Sequence, residues 1–280
     1  MGRTALIAFL LIVVTASMAF AAAGPKFYQT YGNKHNLRGN PANTATYKAA
    51  YDPANRRTDE ICIFCHTPHS SIPSTPLWGR KPTVTTSFGH YSSTSLVIDN
   101  PGVRTTSDYN EPNGSSRLCL SCHDGATALG AVLNGPEIPF DVGKQVIAPS
   151  TAAGSYNIFN PTIGDVTNPP DSIDDDATKH HHPISFKYNS AVKTAIESVK
   201  GVGYTFPSPA PSIEQYVKLD RNGYMQCTTC HNPHQDMSGQ GSTVPFWVLG
   251  KGVSAADDYD TVCLSCHPGA VSPSTNPPGW

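Results

Sequence analysis

One short pattern, Cys-x-x-Cys-His, carries the most specific chemistry in this sequence. It uses all eight cysteines of the chain. Its four copies are Cys62/Cys65/His66, Cys119/Cys122/His123, Cys227/Cys230/His231 and Cys263/Cys266/His267. In one helical turn, cysteines three residues apart can form thioethers with the two vinyl groups of a haem, and the next histidine then faces the iron from the same side. The pattern predicts four covalently attached haem c groups, each with its iron.

Two other uses of such cysteines compete with this interpretation. Paired Cys-x-x-Cys units are also typical of zinc ribbons, and eight cysteines in an exported chain can form a disulfide framework. Neither use needs a histidine directly after every second cysteine, whereas haem attachment does. We therefore favour haem over zinc and over disulfides.

The composition predicts little regular secondary structure. Of 280 residues, 25 are proline, 23 are glycine and only 38% are apolar. Proline and glycine are poorly tolerated inside helices and strands, and the apolar share is low for a conventional core. We expect a mostly irregular, loop-rich chain with short α-helices and little β structure, cored by haem and largely unfolded without it.

Charged residues are scarce, at 14% of the chain, and the formal net charge is -2. About a quarter is usual for soluble domains. No basic patch indicates nucleic acid or an anionic membrane surface as a partner. A surface this poor in charge favours association between copies of the chain.

The N-terminus predicts export. Residues 1–23 contain Arg3, an apolar run over residues 5–14 and the small residues Ala21, Ala22 and Ala23, which is typical of a cleaved signal peptide. An uncleaved membrane anchor is the alternative, because the uncharged stretch is nearly long enough to span a bilayer. No second apolar run follows, so we expect no membrane span in the mature chain.

The motifs indicate an internal duplication. The first and third continue as Cys-His-x-Pro-His, which places His69 and His234 three residues after the motif histidine, while the second and fourth lack this extension. We expect one tetrahaem domain over residues 24–280, with haem pair one at 24–135, a connector at 136–179 and haem pair two at 180–280. In this arrangement each x-Pro-His histidine reaches the iron of the neighbouring motif in its own pair.

One ordinary helix is predicted, over residues 190–200. Asn189 or Ser190 would cap it, and Gly201 would end it. Its apolar face would consist of Val192, Ala195, Ile196 and Val199.

Histidines outside the motifs are numerous enough to fill the second axial position of every iron. Four irons need eight axial ligands, and the motif histidines supply four. The candidates for the distal positions are His35, His69, His90, His180, His181, His182 and His234. Ligation by two histidines at each haem is therefore expected.

Five stretches resemble the multihaem cytochromes with doubled Cys-x-x-Cys-His motifs, including the tetrahaem filament-forming extracellular cytochromes of metal-reducing bacteria. They are Cys-Ile-Phe-Cys-His-Thr-Pro-His, the Pro-Leu-Trp and Tyr-Ser-Ser stretch after it, Ser-Arg-Leu-Cys-Leu-Ser-Cys-His-Asp-Gly, His-His-Pro-Ile-Ser-Phe and Cys-Thr-Thr-Cys-His-Asn-Pro-His. The resemblance implies the distal ligands His35, His69, His182 and His234, with His181, His90 and His180 as second choices. The chain departs from such relatives at Gly79-Arg80, where they often carry a histidine for which His90 could compensate.

The expected function is electron transfer in the periplasm or outside the cell, and not catalysis. With both axial positions filled, no iron offers a site to a substrate, and paired histidines imply low reduction potentials. The resemblance further implies a homopolymer that conducts electrons to external acceptors, with redox proteins as partners. In that polymer His35, on an N-terminal arm, could bind a haem of the next subunit. A monomeric shuttle, a reductase subunit and a multihaem reductase are the alternatives.

Overall fold

A computed structural model describes residues 33–71, 77–81, 97–99, 112–123, 127–141, 145, 182–201, 203–207, 217–235, 246–248 and 261–268. These residues form three α-helices, α1 (Gly114–His123), α2 (Ser190–Lys200) and α3 (Cys227–Cys230), and two short 3-10 helices at Arg56–Asp59 and Val97–Asp99. Within these ranges the chain makes isolated β-bridges but no strand. The expectation of short helices, much irregular chain and little β structure is confirmed for this part of the molecule. The predicted signal peptide at residues 1–23 and the histidines His90, His180 and His181 lie outside it.

Helix α2 forms where local signals predicted it. The Asn189 side chain accepts a hydrogen bond from the Val192 N–H at 3.0 Å, which caps the first turn. Gly201 ends the helix in the left-handed region at φ 68°. Val192 is buried as predicted, whereas Val199 is 61% exposed, so the buried face is narrower than expected.

In the described part of the chain, the buried apolar side chains form three small clusters, two of which pack against cysteines of the motifs. The first contains Phe64 of the first motif and packs against Cys65 and Cys122. The second joins α2 to residues 186–188, and the third packs against Cys230. Among the described residues, no helix is both long and apolar enough to cross a membrane.

The two predicted haem-pair regions contact each other directly. Gln226, which is 2% exposed, accepts a hydrogen bond from the Ser116 hydroxyl at 2.6 Å and donates one to Asn113 at 2.5 Å. The Cys227 N–H donates to the same Ser116 hydroxyl at 3.0 Å. A buried amide without hydrogen-bond partners lowers the stability of the folded protein. This network therefore holds α3 and the third motif against α1 and the second motif.

Candidate functional site

Each Cys-x-x-Cys-His motif forms one helical turn, as predicted. The N–H groups of His66, His231 and His267 donate to the carbonyl of the first cysteine of their own motif, at 2.8, 3.0 and 3.0 Å. The second motif is the last turn of α1. This turn places both cysteines and the histidine on one side of the local chain, which is the requirement for binding a planar ligand through all three.

Three motif histidines face a histidine from a distant part of the chain. We call them the facing pairs. The ring centroids are 6.0 Å apart for His66 and His234, 6.2 Å for His35 and His123, and 6.4 Å for His182 and His267. All three partners are among the four distal ligands that the family resemblance implied.

The spacing of the facing pairs matches two imidazoles bound to one metal ion from opposite sides. A metal–imidazole bond is about 2 Å long, and a ring nitrogen lies about 1.1 Å from its centroid, so such a pair has centroids about 6.2 Å apart. The interplanar angles of 20°, 58° and 72° are all compatible with this arrangement, because each ring can rotate about its own metal–nitrogen bond. Two histidines alone do not complete a metal site, and the other ligands would have to come from a bound cofactor.

Backbone carbonyls orient three of these rings. The Nδ1 atom of His35 lies 3.3 Å from the Pro233 carbonyl, and that of His66 lies 3.3 Å from the Leu77 carbonyl. The Nδ1 atom of His182 lies 2.8 Å from the carbonyl of the next residue. A carbonyl only accepts, so Nδ1 carries the proton and Nε2 keeps its lone pair. Histidines that bind metals are typically held in this way.

Desolvation favours the neutral form of three rings in the facing pairs. Desolvation, followed by the neighbouring His123, lowers the pKa of His35 to about 3. Desolvation also lowers the pKa of His267 to about 4, with His182 as the second cause. The pKa of His182 is lowered by the same desolvation. The neutral imidazole is the form that binds a metal, so these rings are in the required protonation state.

The cysteine thiols of successive motifs are close neighbours, and all eight are free. Cys119 donates a hydrogen bond to Cys227, which raises the pKa of Cys119 and lowers that of Cys227. Burial, followed by the nearby Cys122, raises the pKa of Cys65 to about 12. The first three motifs therefore approach one another through their cysteines.

Among the described residues, which include every cysteine, all eight thiols are free, and no group of three or more His, Cys, Asp or Glu side chains is arranged to hold a metal ion.

The internal duplication extends beyond the motifs, which sequence reasoning missed. We define the first unit as residues 62–69 with 77–80, and the third unit as residues 227–234 with 246–248. In each unit the motif histidine forms an antiparallel bridge with a tryptophan, His66 with Trp78 and His231 with Trp247. The signal was present as Pro-Leu-Trp at residues 76–78 and Pro-Phe-Trp at residues 245–247.

Two expected placements differ in the structure. His35 does not extend from the molecule: its ring stacks on Phe246 at 4.2 Å and faces His123 of the same chain. His234 faces His66 of the first motif, and not the fourth motif that follows it in sequence. The x-Pro-His segments therefore link the two halves of the chain.

His69 is the one implied distal ligand that does not lie in a facing pair. The residue is exposed, and only its backbone carbonyl is used, as the acceptor for Thr67 at 2.7 Å and Asn134 at 3.0 Å. Its side chain makes no hydrogen bond or ring contact to the rest of the described chain. Two hydrogen bonds thus fix the backbone of His69, and the residue itself is exposed.

The chain matches no family model and none of the curated proteins. Its function therefore has to be argued from residues and geometry. The facing pairs carry most of that argument, because they combine spacing, tautomer and protonation state at positions that are far apart in sequence.

Proposed function

We propose that the protein is an exported tetrahaem c-type cytochrome that transfers electrons. The single observation that carries the proposal is the set of three facing pairs, in which the two ring centroids lie 6.0–6.4 Å apart. A porphyrin supplies four equatorial nitrogens and leaves two axial positions for imidazoles, which is what a pair without further protein ligands requires. The two cysteines that lie four residues and one residue before each motif histidine supply the thioethers.

The residues have distinct roles in this proposal. Covalent attachment uses Cys62, Cys65, Cys119, Cys122, Cys227, Cys230, Cys263 and Cys266. Proximal ligation uses His66, His123, His231 and His267, and distal ligation uses His234, His35 and His182 with one further histidine. When bound, haem supplies a one-electron iron couple. The chain favours the neutral form of the His35, His182 and His267 rings. Backbone carbonyls orient the rings of His35, His66 and His182.

Filled axial positions favour electron transfer over catalysis. An iron with two histidine ligands offers no position to a substrate, so only its oxidation state changes. Two histidines also give lower potentials than histidine with methionine, which suits the disposal of respiratory electrons. A multihaem reductase would need an iron with an open position.

Intact-mass spectrometry and electron paramagnetic resonance test the proposal. The exported protein should carry four haem adducts, and its ferric spectrum should be dominated by low-spin signals. Replacing Cys263 and Cys266 by serine should remove one adduct and leave three. A chain with no adducts would refute the proposal, and a strong high-spin signal in fully loaded, assembled protein would favour the reductase alternative.

In the same proposal, copies of the chain associate into a filament through His69. The sequence assigned this contact to His35, but His35 faces His123 within its own chain. His69 is exposed on a fixed backbone, so its imidazole is available to an iron of a second copy. The low charge of the chain reduces the repulsion between copies.

Electron microscopy of the secreted protein separates the filament from the monomeric shuttle. Wild-type protein should form filaments, and His69→Ala should remain as particles of single-chain size with four haems each. His69→Ala filaments indistinguishable from wild type would exclude His69 as the contact. Compact monomers for the wild type would favour the shuttle or reductase-subunit alternative while leaving electron transfer intact.

A further inference from the structure

Arg80 is a cation buried between the first two motifs. Its side chain is 0% exposed, and its guanidinium donates to four backbone carbonyls. The acceptors are Phe64 at 3.2 Å, Leu129 at 2.6 Å, Ser121 at 3.3 Å and Ala128 at 2.7 Å. Phe64 lies between the cysteines of the first motif and Ser121 between those of the second, so one side chain connects both.

The charge of Arg80 is not neutralised by the described chain. Every acceptor of its guanidinium is an uncharged carbonyl, and its buried Nε has no hydrogen-bond partner. Desolvating an unpaired charge is unfavourable, and carbonyl dipoles compensate for it only in part. Leucine or methionine would fill the same space without this cost, so packing alone does not account for an arginine here.

The charge of Arg80 lies close to the cysteines of the first two motifs. The Arg80 guanidinium donates to the carbonyls of Phe64 and Ser121, the residues directly before Cys65 and Cys122. These cysteines would bond the vinyl edge of a haem, which is the edge opposite the propionates. A fixed positive charge in a low-dielectric region is felt strongly by a nearby group that changes charge.

We propose that Arg80 is an electrostatic tuning residue that raises the reduction potentials of the haems at the first two motifs. This inference rests on the proposed function. Reduction is the step Fe(III) + e⁻ → Fe(II), with no proton taken up, because both axial histidines stay bound. The iron loses one unit of positive charge in this step, so a neighbouring cation favours the reduced state. Electrons would therefore rest preferentially at the first two haems.

Spectroelectrochemical titration of the four-haem protein tests the inference. In Arg80→Met, at least one of the four one-electron steps should become tenfold or more less favourable, which is about 59 mV lower. Arg80→Lys keeps the charge and should stay closer to wild type than Arg80→Met does. The control is Arg56→Met, which removes a charge from an exposed residue and should leave all four steps unchanged, because water screens it.

The outcomes separate this inference from the proposed function. Wild-type protein without four adducts would refute the function itself. Four-haem Arg80→Met that titrates like wild type would refute only the tuning role and leave Arg80 as a structural anchor. If Arg80→Met does not load four haems, Arg80→Lys decides. Its affected step should become less favourable as alkaline pH removes the lysine charge, and a pH-independent titration would overturn the inference.

Discussion

The first and third units repeat one backbone arrangement, but their surroundings differ. Both place a residue with positive φ before the tryptophan that bridges the motif histidine, Leu77 at 64° and Phe246 at 61°. Leu77 is 54% exposed, whereas Phe246 is 7% exposed and stacks on the His35 ring. The third unit therefore lies inside the candidate site, and the first unit lies at its edge.

The x-Pro-His segments of the two units also differ in their surroundings, with that of the third unit again inside the candidate site. In the third unit, Pro233 accepts the hydrogen bond from His35, and His234 faces His66. The third unit thus contributes to two facing pairs that belong to other motifs. In the first unit His69 is exposed, so the identical motif is available for contacts outside the chain. The duplicated x-Pro-His segment therefore occurs once with its histidine facing a motif histidine of the same chain and once with its histidine available for contacts outside the chain. The two segments differ in the residues that pack against them.

The largest expected difference between the units concerns their x-Pro-His histidines. In dispersed monomeric protein, His234→Ala should convert one of four ferric haems from low spin to high spin, because His66 loses the ring that faces it 6.0 Å away. His69→Ala in the same monomers should leave the spin states unchanged. Electron paramagnetic resonance at equal haem content measures both.

The control for His234→Ala is the number of haem adducts, which should remain four because the cysteines are unchanged. Equal high-spin signals in the two variants would show that the units have equivalent roles, and the comparison would then fail.

The next difference concerns the residue before the tryptophan. Phe246→Ala should lower the free energy of unfolding by about 3 kcal/mol, because it empties a buried site and removes the stacking contact with His35. Leu77→Ala should cost less than about 0.5 kcal/mol, since that side chain is mostly exposed. Denaturant unfolding of the holoprotein, with both variants at equal haem content, measures the difference. Similar costs would contradict the assignment of an internal and an external unit.

Local features of the molecule were predictable from the sequence. Helix α2 was predicted together with its cap at Asn189 and its end at Gly201, because caps and left-handed glycines act within one turn. The helical turns of the four motifs follow from the same short-range hydrogen bonds. The choice of His35, His182 and His234 as distal ligands came from resemblance and stays a prediction, although each ring lies opposite a motif histidine.

The long-range features were not predictable, because they depend on packing between segments. No residue near His234 in the sequence indicates that His234 faces His66. That contact depends on the packing of the third motif against α1, which the Gln226 hydrogen bonds hold. Arg80 was noted only as a departure from relatives, and its burial follows from four carbonyls that converge from three segments. The exposure of Val199 likewise reflects the limited surface that packs against α2.

The smallest expected difference lies one residue beyond x-Pro-His. Ser70 in the first copy is exposed and has φ 56°, whereas its counterpart Gln235 is 2% exposed. A side chain with a Cβ is strained in the left-handed region, so Ser70→Gly should raise the free energy of unfolding by about 0.5 kcal/mol, after the greater freedom of glycine in the unfolded chain is subtracted. Ser70→Ala keeps the Cβ and should give no gain. Gln235→Gly should lower the free energy of unfolding, because it removes a buried side chain. Equal changes in that free energy for Ser70→Gly and Gln235→Gly, measured by denaturant unfolding, would show that the two segments share one environment.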